Sequence, residues 1–462
     1  MPELLLLLDR KSATPLRAQL ERELRTAIRT GRLRPLARLP STRALAADLG
    51  VSRGVVVEAY DQLLAEGYLA ARRGAATRVA ARAVLVPPEP GAPVDAPPRS
   101  LRYDFRPGLP DVGGFPRRAW LAALRRALAA APSGALGYPD PSGPEPLRTA
   151  LAAYLNRARG TLARPEHIVT CTGFTQGLRL VCQVLRERGA ARIAVEDPSH
   201  AEQRAIIAAA GLRPVSIAVD EGGLRVDRLA RISVAAVLVT PAHQFPTGAV
   251  LAPERRAALL DWASRRHALI VEDDFDAEYR YDREPVGTLQ GLAPDRVVYA
   301  GSASKTLAPA LRLGWLLVPS GLAAAVARAK RADDLGSPTL EQLAYAEFLE
   351  RGELDRHLRR TRLVYRRRRD ALVAALRIHV PAGRVQGVAA GLHLMLELPG
   401  GSDERAIVDA AARASVGVYG VQGHRARPRG GPPALLLGYG TLSEAAIAAG
   451  VARLATALRT RS

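Results

Sequence analysis

Lys305 stands in the run Gly301-Ser302-Ala303-Ser304-Lys305-Thr306, directly after an apolar, strand-like stretch, and is one of only three lysines among 66 basic residues. A guanidinium stays protonated and cannot condense with an aldehyde, whereas a desolvated lysine amine can lose its proton and form a Schiff base. A bound pyridine aldehyde needs two further groups, a carboxylate for the ring nitrogen and a cup for a phosphate. Asp273 closes the apolar run 268–273 and is the candidate carboxylate, with helix capping as the structural alternative. Gly173, Phe174 and Thr175 open a predicted helix after a strand ending at Cys171, where free backbone N–H groups and the helix dipole can hold phosphate. Ser302, Ser304 and Arg312 offer hydroxyl and guanidinium donors to the same phosphate. All of these groups fall at strand ends, where open α/β sheets bind their ligands.

The elements that must position them follow from the pattern. Apolar strand-like runs at 167–171, 192–196, 215–219, 235–240, 268–273, 296–300 and 313–318 alternate with amphipathic helices, which predicts βαβ units and a largely parallel sheet of the α/β class. Beyond about residue 340, charged helical patterns and strands at 392–398 and 434–439 predict a smaller α+β subdomain. Between 84 and 100 six prolines predict an extended linker. The expected organisation is therefore a head at 1–80, a linker at 81–100 and a body at 101–462, whose large subdomain covers about 145–340.

The head carries a different signal. Leu16, Leu20, Leu24 and Ile28 form one buried stripe of a helix, and Ser41 is placed to cap a second. That helix runs through Leu45, Ala46 and Leu49, turns at Gly50 and restarts at Ser52, with Val55, Val56, Tyr60, Leu63 and Leu64 facing inward. Two short helices joined by a glycine turn present the second to a major groove. Arg43, Ser52 and Arg53 lie at helix starts, where they can meet phosphates or base edges, and Arg72 and Arg73 fall in a turn that would make a wing. A three-helix dimerisation module is the competing reading.

A formal charge of +21 points to a polyanionic partner, although the Arg-for-Lys bias suggests that part of the excess is a compositional habit. Cys171 and Cys182 have no metal or redox spacing and read as buried thiols; no metal site is read from the sequence. The Leu4 to Leu8 run is too short for a signal or a membrane span, so the expected location is cytoplasmic, away from the membrane.

Two resemblances become specific at this point. Leu39-Pro40-Ser41, Arg43, Leu45-Ala46, Leu49-Gly50-Val51-Ser52-Arg53, Ala59-Tyr60 and Glu66-Gly67 resemble the winged helix-turn-helix of GntR-type regulators, with Arg17 where that pattern has an aromatic and Ala75-Ala76 at the wing tip. Gly137-Tyr138, Glu196-Asp197-Pro198, His243-Gln244-Phe245-Pro246-Thr247-Gly248, Glu272-Asp273-Asp274 and Ser302-Ala303-Ser304-Lys305 with Arg312 resemble the fold-type I, pyridoxal-phosphate aminotransferases over 101–455. That resemblance implies that Lys305 bonds the cofactor pyridoxal 5'-phosphate, that Asp273 pairs with its ring nitrogen, and that Arg312, Ser302 and Ser304 bind its phosphate. It also implies that Tyr138 reaches the phosphate of a neighbouring subunit and that His200 stacks on the ring.

The fused arrangement is that of MocR/GabR-type transcriptional regulators. It implies a homodimer that binds operator DNA and senses a small amine, an amino acid or pyridoxal phosphate itself; the alternative is a working aminotransferase with an accessory head. Phe245 and Phe275 stand where polar partners of the cofactor's phenolic oxygen are usual, which suggests binding more than turnover, with Tyr279 or Tyr281 as possible substitutes. The strand at 434–440 has no arginine for a substrate carboxylate, leaving Arg204, Arg427 and Arg429 as candidates or an effector without a carboxylate. The run 366–369 reads as a solvated arginine face with phosphate contact as its alternative.

Overall fold

The computed structural model describes residues 6–71, 76–81, 101–282, 286–427 and 430–459. They divide into one compact unit ending at Arg99 and another beginning at Ser100.

In the first unit, helices Leu16–Arg29, Thr42–Leu49 and Arg53–Ala65 precede a two-stranded antiparallel ribbon in which Leu69 faces Val79. Leu20, Leu24, Ile28, Leu45, Val56, Tyr60, Leu63 and Val79 form its buried core, with Val55 and Leu64 packed half-buried against it. Ser41 accepts a hydrogen bond from the Ala44 N–H, and Ser52 accepts one from Val55. Gly50 takes the left-handed conformation between the two short helices, a geometry that costs glycine little. The wing candidates Arg72 and Arg73 lie outside the described residues.

The second unit is built on an eight-stranded sheet in the order Ile168–Cys171, Gly314–Leu317, Val297–Ser302, Leu269–Asp273, Ala236–Val239, Arg192–Asp197, Arg213–Asp220 and Gly223–Leu224. The five strands from Val297–Ser302 to Arg213–Asp220 pair in parallel. Gly314–Leu317 runs antiparallel to both of its neighbours, and Gly223–Leu224 is an antiparallel edge. Along Leu269–Asp273, Ile270 packs with Leu259 and Trp262 on one face while Val271 packs with Leu178 and Val184 on the other. Burial on both faces is why the parallel strands read as continuous apolar runs.

A second, antiparallel sheet joins Arg384–Gln386, His393–Glu397, Ala434–Gly438 and Tyr419–Gly420. Helix Glu353–His379 lies against the C-terminal helix Glu444–Arg459 beside it, and the early strand Tyr103–Asp104 pairs with Val416–Gly417. The smaller subdomain thus takes both ends of this unit. Cys171 and Cys182 are free and buried, which pushes their thiols up to about 11 and about 12. Among the described residues no helix is long and apolar enough to cross a membrane.

Candidate functional site

The register of the parallel strands brings the chemistry together. Ala300 pairs with Asp273 at the end of adjacent strands, and the chain turns at once into the short helix Ala303–Thr306 that carries Lys305. Lys305 Nζ donates to the Gly108 carbonyl. Burial pulls the Lys305 amine below the usual lysine range, against the opposing charges of Asp276 and Asp273. Burial also raises Asp273 well above the ordinary carboxyl range, and Asp274 and Asp276 push it the same way while Lys305 pulls it down. Asp273 Oδ2 accepts a hydrogen bond from Gln203 Nε2 at 3.2 Å. An amine held toward its neutral form beside a carboxyl group that a cation would ionise is a pair ready for a pyridine aldehyde.

A candidate phosphate cradle lies at the start of a helix. Helix Phe174–Glu187 starts after Gly173, at φ 111°, and takes no side-chain cap. A Cβ at Gly173 would stand 3.1 Å from the Arg312 guanidinium, so Arg312 lies against the open helix end. Gly173, Phe174, Thr175 and Arg312 therefore converge, and Ser302 and Ser304 flank Lys305 on the neighbouring strand end and helix. Cation, free amides and dipole in one place suit a phosphate.

Behind this cradle lies a network that the sequence did not reveal. Gln176 Oε1 accepts from the Thr172 N–H at 2.8 Å, while its Nε2 donates to Asp333 and Asp334 at 2.7 and 2.8 Å. Lys330, 0% exposed, donates to Asp334 and to Ser337. Gly336, whose absent Cβ would lie 2.7 Å from Pro139 Cγ, brings this loop against the one bearing Tyr138. Tyr138 itself is 90% exposed.

His200 stacks face to face on Phe245, with ring centroids 3.6 Å apart and planes 4° off parallel. Burial drops its imidazole to about 3, so it is neutral and behaves as an aromatic. Phe275 stands edge-on to both rings, and His424 and His393 complete the box around Phe245 at 5.1 and 5.0 Å. The proposed stand-ins for the missing polar partners are committed elsewhere: Tyr279 to Thr361 and Tyr281 to the Gly391 carbonyl. Arg204 is likewise spent on Ser199, His424 and Arg425 oxygens. Arg427 is exposed on the wall of an 840 Å³ cavity shared with Asp197, Thr247 and Arg425, and Arg429 lies outside the described residues. In the 366–369 run, Arg368 holds Asp111 and the Gly440 carbonyl, and Arg367 faces Glu444, so these cations fasten a helix.

In the first unit Arg43, Ser52 and Arg53 are all exposed at the starts of the two short helices. Sequence reasoning missed Arg10, which donates to the Leu49 and Gly50 carbonyls and pins the N-terminal segment to the glycine turn.

Comparison with known proteins bears on both units. Residues 110–424 match the family described as aminotransferase class I and II, and residues 16–79 match the bacterial regulatory proteins of the gntR family. The chain is 36% identical over 402 residues to the HTH-type pyridoxine biosynthesis transcriptional regulator PdxR of Corynebacterium glutamicum, covering 86% of each. It is 35% identical over 399 residues to the probable rhizopine catabolism regulatory protein MocR of Rhizobium meliloti, covering 81% of this chain and 80% of that one. Among solved structures, the α-aminoadipate aminotransferase LysN of Thermus thermophilus, complexed with N-(5'-phosphopyridoxyl)-L-leucine, has a TM-score of 0.71 at 29% identity, over 78% of this chain and 93% of its own.

Proposed function

The chain belongs to the MocR-type transcriptional regulators, which join a GntR-type helix-turn-helix head to an aminotransferase class I and II body, and on that premise we propose that it binds operator DNA and reads a small amine, an amino acid or pyridoxal 5'-phosphate through a cofactor site at Lys305. The observation that carries this reading is the placing of the Lys305 amine and the Asp273 carboxyl at adjacent strand ends beside the Gly173–Arg312 cradle.

The residues fit the cofactor by their chemistry. When bound, pyridoxal phosphate supplies an aldehyde that takes up a primary amine and a ring that withdraws electrons. Lys305 contributes a nitrogen whose proton is already loosened by burial. Asp273 gives its charge to a ring N–H, and Gln203 orients that carboxyl. Arg312 and the amides of the Phe174–Glu187 helix hold the phosphate, and the half-buried Lys305 is screened from bulk water by the loop that carries Gly108. An effector amine competing for the cofactor would free the Lys305 side chain, a local change in the cleft able to bias a two-state arrangement of the body and, through pairing of two chains, its DNA-binding heads.

The rival reading is a working aminotransferase. Phe245 and Phe275 argue for sensing, because they stand where polar partners of the phenolic oxygen would promote turnover and the Tyr279 and Tyr281 hydroxyls are engaged by Thr361 and Gly391. The test is a titration of the purified chain with pyridoxal phosphate and candidate amines, together with footprinting of its own upstream region. Spectral exchange without cycling and a protected operator support the sensor. Repeated turnover with an amino donor and a keto acid supports the enzyme.

A further inference from the structure

We propose that His243, Asp276 and His393 form a binding site for a borderline divalent cation of the Zn²⁺ type. His243 follows strand Ala236–Val239, Asp276 follows Leu269–Asp273, and His393 opens strand His393–Glu397 of the other sheet. They are 3%, 2% and 2% exposed, and one donor atom from each lies within 4.8 Å of the others.

The orientation of each ring matters more than the clustering. His243 Nδ1 lies 3.1 Å from both oxygens of Asp276. His393 turns Nε2 toward the Pro246 carbonyl at 3.3 Å, which assigns the ring proton to Nε2 and leaves a bare lone pair on Nδ1. That Nδ1 is buried and, among the described residues, has no hydrogen-bond partner. An unmet buried acceptor is costly and calls for an explanation. A histidine whose far nitrogen is fixed by a backbone carbonyl is the arrangement by which proteins aim imidazole at a metal.

The surroundings are shaped to the cluster. Gly391, at φ 68°, comes so close that a Cβ there would stand 2.3 Å from Asp276 Oδ2 and from His243 Cε1. Its carbonyl is in turn held by the Tyr281 and Tyr439 hydroxyls, each at 2.7 Å. Two imidazoles and one carboxylate without a thiolate suit Zn²⁺ and its neighbours; Ca²⁺ and Mg²⁺ want more oxygen ligands. Three protein ligands leave a fourth position open. With metal–ligand bonds of about 2.0–2.2 Å, the 3.1 Å His243–Asp276 spacing fits two ligands of one ion, and the His393 donor lies within 4.8 Å of both. Because His393 opens a strand of the second sheet while His243 and Asp276 follow strands of the first, the ion acts as a clasp between the subdomains.

The test uses the full-length chain without cofactor, dialysed against chelator and titrated with Co²⁺ and then Zn²⁺. One equivalent of Co²⁺ per chain with the intense visible bands of a four- or five-coordinate ion, displaced by Zn²⁺, is the expected result, together with a rise in Tm on adding Zn²⁺. His393→Asn and Asp276→Asn should each weaken uptake at least about tenfold, with DNA binding and circular dichroism serving as checks of folding and His393→Gln as a second variant. No uptake by the wild-type chain, octahedral Co²⁺ held equally by all variants, or unchanged affinity in both His393 variants overturns the assignment. The outcome does not depend on whether Lys305 takes up pyridoxal phosphate.

Discussion

Gly108 presents its carbonyl to the Lys305 amine from a left-handed conformation at φ 71°, so close that a Cβ on residue 108 would stand 3.1 Å from Nζ. The contact orients the amine, and the absent side chain leaves room for it. Gly108→Ala should therefore strain the backbone by about 1–2 kcal/mol and crowd the nitrogen. We expect roughly tenfold weaker formation of the visible band of lysine-bound pyridoxal phosphate, with binding of pyridoxine phosphate, which has no aldehyde, much less affected. Equal losses for both ligands would assign Gly108 to the phosphate cradle instead.

Lys305→Ala removes the one lysine amine that faces this site among the described residues. The visible band should disappear while operator binding by the head remains measurable in a gel-shift or footprinting assay. Persistence of the band would place the attachment at Lys330 or Lys11, the other lysines of the chain.

Asp273 sets stability against function. Its folded-state pKa is raised by burial and by Asp274 and Asp276, so the folded chain favours the protonated form that the unfolded chain loses near pH 4. Its contribution is complete below that value and is lost as pH rises toward the raised folded-state pKa. Asp273→Asn should accordingly stabilise the cofactor-free chain by an amount close to nil at pH 4 and growing toward neutrality, read as a shift in denaturant midpoint. The same change should weaken pyridoxal phosphate binding, because the ring N–H loses its anionic partner. A pH-independent difference in midpoint would show that Asp273 is ionised in the empty fold.

Much of this arrangement is legible in the chain. The central strands are buried on both faces, so they stand out as uninterrupted apolar runs, and Asp273 and Lys305 announce themselves as polar residues at the ends of such runs. The reversal of Gly314–Leu317 has a local cause too, since the connection 303–313 is shorter than the dozen or so residues that a parallel crossover needs, and it leaves the sheet largely parallel as expected. What the pattern could not show are contacts with no local signature. His243 and Asp276 are 33 residues apart and His393 lies in the other sheet; Arg10 meets Gly50 across a gap of 40. Phe245 shows the same limit, since its place in the motif was plain but its stacking on His200 depends on how two loops meet.

Lys330 explains why this arginine-rich chain keeps a second lysine in its body. It is fully buried and bonds Asp334 and Ser337, as a compact ammonium with three donors can. Lys330→Met should cost roughly 1–3 kcal/mol, moderated because Asp334 retains 27% side-chain exposure. Through Gln176, which bonds both Asp334 and Thr172, it should also weaken phosphate binding, measurable as a lower affinity for pyridoxine phosphate. Loss of stability with unchanged ligand affinity would separate Lys330 from the cradle.

On the head, Arg53 begins the second short helix behind the Ser52 cap, exposed and aimed away from the core. Arg53→Ala should cost about 1–3 kcal/mol of operator binding if it reads a base edge and leave cofactor uptake unaltered. A uniform loss across sequences with a shallower salt dependence would instead make it a phosphate contact.

Phe275 is half-buried between His200, His243 and Phe245, and the hydroxyls of Tyr279 and Tyr281 are engaged by Thr361 and Gly391. Phe275→Tyr therefore adds a phenolic hydroxyl at a ring position already lined by aromatics. A hydrogen bond from it to the cofactor's phenolic oxygen contributes about 1 kcal/mol and favours the ionised oxygen. The expected result is a lower pH midpoint for the spectral transition and amine exchange faster by roughly five- to tenfold. An unchanged midpoint with a correctly folded variant would mean that the phenolic oxygen lies away from residue 275.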